Sequence, residues 1–472
     1  MKITFWGAAE KVTGSMFLLE LDSDFRILID CGMDMEQMSE DMPIHPSSSF
    51  PFEASMINAV ILTHAHLDHT GKIPILIREG FEGPIICTSP TASLMDIILY
   101  DSAAINRIKL NKYHKRKSKS PSYKPGFDLK EVYLEKDVKE AFKQLKTIDF
   151  DKTYQLIKTV KLRMVPTGHL LGAANVHLEI EEGEEKKSIL FTGDIGRLKY
   201  PLLTDPSTPP KADYLVCEAT YGGKTHQSSS DTEKELLHYI TESCIKKPGK
   251  LLIPAFSIGR TQAILFTINK LFKTEQLPTI PVYADSPMAM KSNRVYERYS
   301  NILNEEALEF KAEHKELFYG ENFDYIEKLE ESKKISGKPG PAILVSSSGM
   351  LEGGRIQHHI KQNLQNPNTT ILMVGFTPEG TFGHKLVNAD GTIEIGNKSV
   401  PVLAKVVKTD AFSGHGDHHD LMRTILSQDV ENNKGVFLVH GEPDSLETLS
   451  QDVRKAGFKQ VNIPKKGESF EL

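Results

Sequence analysis

No apolar run in the chain approaches the roughly 18 residues a membrane-spanning helix needs, which excludes such a span. Cysteine is scarce. Cys31, Cys87, Cys217 and Cys244 stand far apart with no C-x-x-C among them, which predicts reduced thiols in a cytoplasmic protein rather than a disulfide framework. An excess of positive charge is also missing. With 57 Lys and Arg against 63 Asp and Glu, the net charge of −6 gives no global attraction to polyanions, so a nucleic-acid partner must meet a local basic surface. Internal repeats and low-complexity tails are absent. The opening "MKITFWGAAEKVTGSMFLLEL" alternates like a strand, and Glu10 and Lys11 interrupt it too early for a signal peptide.

What is present is the composition of a folded globular protein, 39% hydrophobic and 25% charged, and 472 residues predict two or three domains. The first third reads as strands with short turns: "KITFWG", "SMFLLELD", "FRILIDCG", "AVILTHAH" and "PIICTS". A helical, charged stretch from Thr91 to about Leu145 follows, then the strands "VHLEIEEG" and "SILFTGDIG". From about residue 211 the rhythm becomes strand, loop, helix: "YLVCEATYGG", "GKLLIPAFSIGR", "PVYADSPMA", "PAILVSSSGMLEGGR" and "TTILMVGF". That rhythm predicts a doubly wound α/β unit with parallel strands.

The stretch "THAHLDHTG", residues 63–71, follows the apolar run "NAVIL" and puts His64, His66, Asp68 and His69 within six positions. A strand ending at Leu62 lets the loop present these side chains from a rigid base. A lone surface histidine is ordinarily solvated, and a lone turn aspartate ordinarily caps a helix. Four such residues with no Lys or Arg among them read as a metal site. One loop cannot complete two zinc shells, so partners must come from elsewhere. His169 in "VPTGHLLGAANVHLEI", Asp194 in "ILFTGDIG" and His440 in "VFLVHGE" all sit in polar loops beside apolar strands. Singly each reads equally well as structural; with the loop they supply the count that two ions need.

H-x-H-x-D-H after a strand, then G-H-x-L-G, then T-G-D, resembles the metallo-β-lactamase superfamily. The resemblance is closer still to its β-CASP branch of nucleases. Within that branch the chain looks like the bacterial and archaeal relatives of the endonuclease subunit of the cleavage and polyadenylation specificity factor. It is carried by "GAAEKVTGSMFLL", "THAHLDHTGKIP", "GHLLGAA", "FTGDIGR", "CEATYG", "PAFSIGRTQ", "DSPMA", "SSSGMLEGGR", "FSGHGD" and "VHGE", from residue 7 to residue 442. The fold it implies is α/β: an αββα sandwich over residues 1–210 and 396–472, with a doubly wound β-CASP domain inserted at 211–395. It assigns one zinc ion to His64, His66 and His169 and a second to Asp68, His69 and His440, with Asp194 bridging. Asp30, closing "FRILIDCG", matches a family aspartate that orients ligating histidines; its other reading is a turn aspartate ahead of Gly32.

The implied activity is zinc-dependent hydrolysis of phosphodiester bonds in single-stranded RNA, with exonuclease action as a possible addition. A hydroxide activated between two metal ions is the expected nucleophile, with Asp68 in the catalytic set. His415 in "FSGHGDHH" is the candidate acid for the leaving oxygen, and Glu218 in "CEATYG" the carboxylate that orients it. "HGDHH" also reads as a helix start capped by Asp417, with His418 and His419 solvated. RNA-cleaving β-CASP families carry histidine at the position of His440, whereas the DNA-repair branch has an apolar residue there. Arg260, Ser347, Ser348, Gly349 and Arg355 lie in loops that suit phosphate, though glycine-rich loops are often merely tight turns. His384 stands where relatives usually carry arginine, and it lacks the guanidinium fork. The basic run from Lys112 to Lys119 reads as a solvated loop, or else as an electrostatic lip for RNA. A homodimer is compatible with the family. Two alternatives are a single-stranded DNA nuclease or other metallohydrolase, and a non-catalytic RNA-binding scaffold; inactive partners of that last kind lose ligands, and here none is lost.

Overall fold

A computed structural model describes residues 1–21, 24–35, 50–117, 133–226, 231–375, 377 and 380–472. Lys112 to Lys117 end the long helix Ser89–Lys117, and the rest of the basic run lies outside the described residues. Two compact units form: Met1–Gly196, Pro206–Thr225 and His415–Leu472 in the first, Arg197–Asp205 and His226–Gly414 in the second.

The first unit contains two seven-stranded sheets. One runs Ser469–Glu471, Lys2–Phe5, Phe17–Glu20, Arg26–Ile29, Ala59–Ile61, Ile85–Thr88, Leu145–Ile148. The other runs Val461–Asn462, Gly435–Val439, Tyr214–Glu218, Glu185–Phe191, Ala174–Glu182, Val160–Pro166, Thr153–Ile157. Period-two alternation decides what each strand buries. Phe5, Phe17, Leu19, Ile27 and Ile29 of one sheet share a core with Met164, Val176, Leu178, Phe191 and Val439 of the other. Each such side chain contributes about 1.5–3 kcal/mol on burial. The outer face of the second sheet, through Leu190, Leu215, Cys217, Val436 and Leu438, packs on helices His418–Leu426 and Pro443–Lys455. Helix Ser89–Lys117 lies against strands Ile85–Thr88 and Leu145–Ile148 of the first sheet. The result is a sandwich of two sheets with helices outside.

Three of these strands, between Leu145 and Pro166, escape the sequence pattern. Charged or polar residues recur through "LKTIDFDKTYQLIKTVKLRMVP" because each strand leaves residues open to solvent, so no dense apolar run marks them. Strand Tyr214–Glu218 opens the strand-then-helix rhythm in sequence, yet it pairs in parallel with both Glu185–Phe191 and Gly435–Val439. Glu218 therefore belongs to the first unit.

The second unit holds a six-stranded sheet in the order Phe323–Tyr325, Val282–Asp285, Ala342–Ser346, Lys250–Pro254, Thr369–Met373, Lys405–Lys408. Every pairing in it is parallel. Helices follow the strands, among them Arg260–Lys273 after Lys250–Pro254 and Pro287–Arg298 after Val282–Asp285. Among the described residues no helix is long and apolar enough to cross a membrane, and all four cysteines are buried free thiols.

Candidate metal centre

Strand Ala59–Ile61 delivers "THAHLDH" at its carboxyl end, and the short helix Leu67–Thr70 turns Asp68 and His69 back toward the sandwich. That turn is crowded. A Cβ at Gly32 would sit 1.8 Å from the Asp68 carbonyl oxygen, so only glycine fits beneath the loop. Asp30, fully buried at the end of strand Arg26–Ile29, has φ of +57°. This aims its carboxylate under the loop: it accepts the Thr63 N–H and hydroxyl at 2.8 Å each and His69 Nδ1–H at 2.7 Å. With its Nδ1 proton committed to Asp30, His69 turns Nε2 toward Asp194 Oδ1, 3.4 Å away.

Two groups of donor atoms converge on Asp194. His64 Nε2 and His169 Nε2 each lie 3.5 Å from its Oδ2, and His66 Nδ1 lies 3.1 Å from His64 Nε2 and 3.3 Å from His169 Nε2. On the other side His69 Nε2 and His440 Nδ1 lie 3.4 and 3.6 Å from Oδ1, while His440 Nε2 faces Asp68 Oδ2 at 3.4 Å. Asp194 thus turns one oxygen to each group, from the loop after strand Glu185–Phe191. Its Oδ1 is buried without a hydrogen-bond partner.

A third group adjoins. His415 Nδ1 lies 3.4 Å from Glu218 Oε1 and 3.9 Å from Asp194 Oδ2, and its ring is 4.5 Å from that of His169. Glu218 is held at the end of strand Tyr214–Glu218 by two backbone donors, Ile195 N–H at 2.6 Å and Thr220 N–H at 3.1 Å. His415 and Asp68 are 22% and 23% exposed at their side chains, so both stand at the open edge of the cluster, with His66 partly buried.

The electrostatics follow from this crowding. Burial, joined by neighbouring imidazoles, drives His64 well below the usual histidine range and takes His66 down to about 4. Burial disfavours charge on Asp194 and Asp68 too, but the surrounding histidines outweigh it and hold both carboxyls below the ordinary range. At His415 burial opposes protonation, and the Glu218 and Asp194 carboxylates overcome it and raise the group. At His69 and His440 burial again opposes protonation, and the carboxylates of Asp194 with Asp30, and of Asp194 with Asp68, outweigh it and raise both groups. Crowded imidazole nitrogens beside ionised oxygens are the donor set of a histidine-rich divalent-cation site. Both groups fit zinc: His64, His66, His169 and Asp194 in one, Asp68, His69 and His440 in the other.

All seven ligand candidates, Asp30, Glu218 and His415 are therefore gathered in the first unit. The hydroxyls that orient them have no signal of their own in sequence. Thr63 lies 3.1 Å from His64 Nδ1, Thr220 lies 3.0 Å from His440 Nδ1, and Ser15 lies 3.4 Å from His69 Nε2. Tyr221, whose ring is 6.3 Å from that of His415, likewise carries no signal of its own in sequence. Asp417 caps helix His418–Leu426, as the sequence suggests, but His418 is held rather than solvated: its Nδ1 accepts Gly223 N–H and it pairs with Asp452.

The residues expected at phosphate lie in the second unit, at carboxyl ends of parallel strands. Ser347, Ser348 and Gly349 follow strand Ala342–Ser346, and Arg260 opens helix Arg260–Lys273. Arg355 is engaged by protein: it donates to Asp285 Oδ1 at 2.7 Å and to the carbonyls of Ile326 and Glu327. His384 donates Nδ1–H to the Thr377 carbonyl at 3.3 Å.

Comparison with known proteins agrees with this architecture. A metallo-beta-lactamase superfamily domain matches residues 18–205, a Beta-Casp domain residues 261–386, and a Zn-dependent metallo-hydrolase RNA specificity domain residues 399–464. Ribonuclease TTHA0252 of Thermus thermophilus is 34% identical over 468 residues, 99% of either chain. Transcription termination factor FttA of Methanocaldococcus jannaschii is 31% identical over 476 residues, 98% of this chain and 70% of that one. An RNase J-like protein of the same organism is 30% identical, covering 93% of this chain and 92% of its own. Likeness that extends from the histidine loop to His440, over nearly the full length of two of these relatives and 70% of the third, makes the chain a member of the β-CASP branch of the metallo-β-lactamase superfamily, and a metal-dependent hydrolase.

Proposed function

We propose that this hydrolase is a ribonuclease that cleaves phosphodiester bonds of single-stranded RNA with two zinc ions, in the cytoplasm. The observation that carries the reading is Asp194, whose oxygens face two separate donor groups in a pocket with His415 and Glu218 beside it. Zinc bound at both groups would supply the acidity that activates a water and would neutralise charge on the phosphate oxygens. The chain's own residues supply the rest. Asp30 and Thr63 hold the loop histidines in one orientation, so the ligand atoms need no reorganisation. Glu218 favours the protonated form of His415 at the open edge, where Nε2–H can pass its proton to a leaving sugar oxygen. Ser347, Ser348, Gly349 and Arg260 of the second unit bind backbone phosphates from strand ends. On this reading the first unit, with Glu218 and His415 in it, acts as the catalytic domain. The second unit, Arg197–Asp205 and His226–Gly414, acts as the inserted β-CASP domain, its bounds shifted from the 211–395 read in sequence. The RNA specificity model over 399–464 and the ribonuclease among the relatives support RNA over DNA.

The test is cleavage of one single-stranded RNA labelled at the 5′ end in one tube and the 3′ end in another. Zinc-loaded protein, its Asp68→Ala variant and a matching DNA strand run alongside. Internal cuts on RNA that vanish in the variant are expected. A processive ladder would add exonuclease action, whereas equal cutting of DNA would sink the assignment to RNA.

A further inference from the structure

The turn between strand Lys250–Pro254 and helix Arg260–Lys273 places its residues against their polarity. Ala255, Ser257 and Ile258 are buried, while the ring of Phe256 is 36% exposed. A serine inside and a phenylalanine outside reverses the usual preference. The ring is nonetheless firmly mounted. Its carbonyl accepts Thr261 N–H at 3.2 Å and the Thr261 hydroxyl at 2.7 Å, and Ser257 Oγ bonds Ser286 Oγ at 2.9 Å. One face is occupied: the Arg260 guanidinium carbon stands 5.0 Å from the ring centroid. Arg260 is itself fixed, donating Nε–H to the Phe412 carbonyl at 3.0 Å and lying so close to Gly375 that a Cβ there would come 2.3 Å from Nη1. The edge of the ring meets the "SSSGM" loop, since a Cβ on Gly349 would lie 3.3 Å from Phe256 Cδ2. A firmly held aromatic side chain thus stays partly open to solvent, with a cation over one face and the Ser347–Gly349 turn beside it.

We infer that Phe256, backed by Arg260, is a stacking platform for one unpaired base of RNA, a subsite that rests on the ribonuclease reading above. An exposed ring among apolar neighbours would suit a protein partner. Here the surroundings are a guanidinium, serines and glycine, which suit a nucleotide: base on the ring, phosphate toward the loop. Every base has a π-face, and stacking on a ring calls for no particular base edge, so the platform accepts any base and excludes paired ones.

The test measures binding of a short fluorescent single-stranded RNA to full-length Asp68→Ala protein, which leaves the RNA uncut, against the same background with Phe256→Ala or Phe256→Trp. Alanine is expected to weaken binding roughly tenfold and tryptophan to restore it. A set of RNAs with one abasic position each supplies the readout that a merely structural role would not move. One position should cost the parent about as much as Phe256→Ala does, and should cost the Phe256→Ala protein nothing further. Parent-like binding by Phe256→Ala overturns the platform, and so does the same abasic penalty in both proteins. If the parent binds no RNA and zinc-loaded wild type cuts none, the ribonuclease reading falls, and the platform with it.

Discussion

Replacing Asp30 by asparagine tests the metal centre through a side chain that lies behind the donor atoms rather than among them. Its Oδ1 accepts the Thr63 N–H, and its Oδ2 accepts the Thr63 hydroxyl and His69 Nδ1–H, all within 2.8 Å. An amide keeps the shape and loses one acceptor. With its nitrogen at the Oδ2 position it meets His69 Nδ1–H donor to donor; flipped, it meets the Thr63 N–H the same way. The relief open to the first arrangement is a change of tautomer at His69. That change moves the proton to Nε2, the nitrogen 3.4 Å from Asp194 Oδ1 that must be bare to bind metal. Loss of such a supporting contact lowers metal affinity about 10–100-fold, which is roughly 1.4–2.7 kcal/mol. The loss should fall first on the group of Asp68, His69 and His440, because His69 takes the contact directly, whereas His64 meets Asp30 only through the Thr63 hydroxyl. Titration of zinc-loaded protein with a chromophoric chelator measures it. Asp30→Asn should release one equivalent at 10–100-fold lower chelator than wild type and hold the other normally. Metal-free wild type and variant should melt within a few degrees of each other, because no volume is lost. Retention of both equivalents at wild-type affinity, or simultaneous loss of both, would refute the reasoning.

Glu218→Gln removes the charge that raises His415, so RNA cleavage should fall about 10²–10⁴-fold while zinc content by mass spectrometry stays at the wild-type level; a parallel loss of zinc would make Glu218 a ligand instead. Zinc added to chelator-stripped protein at about 100 times its dissociation constant should stabilise the fold by about 2.7 kcal/mol, read as a higher melting temperature, and an unmoved transition would count against the centre. In the second unit, buried Asp285 accepts from His359, Ser332 and Arg355, and these bonds hold its carboxyl below 3.8 although burial acts the other way. A depressed folded value means the stabilisation is complete above 3.8 and is lost as pH falls through the folded value. Urea midpoints of wild type should therefore decline on acidification below about pH 4, and those of Asp285→Asn should start lower and decline less; parallel curves would remove Asp285 as the cause.

The histidine loop is legible in sequence because metal ligation needs particular residue types at close spacing, and an apolar strand before them announces a rigid base. Without the family motifs His169, Asp194 and His440 read only as strand-end residues, since what joins them is tertiary proximity. Asp30 reaches the loop through a left-handed backbone conformation, which leaves no mark beyond the glycine at position 32. The supporting hydroxyls of Thr63, Thr220 and Ser15 are invisible in a pattern because threonine and serine occur in every loop. Periodicity shows that residues 214–218 form a strand and cannot show which sheet they join; hydrogen bonding to residues 189–191 and 435–439 decides that. Phe256 reads as one more apolar residue in "PAFSIGR" until its exposure is measured.

The two donor groups also differ in when the chain can complete them. His64, His66, His169 and Asp194 are all synthesised by residue 194, whereas the group of Asp68 and His69 waits for His440. Strand Gly435–Val439 must dock beside Tyr214–Glu218 to bring that histidine in, across an intervening unit of nearly the length of a domain. Contacts of such long sequence separation form late. A growing chain therefore passes through a stage at which one donor group is fully synthesised and the other still lacks His440. On the proposed two-ion reading, order of synthesis thus becomes a safeguard, in which hydrolytic competence is withheld until residues beyond 435 have folded home.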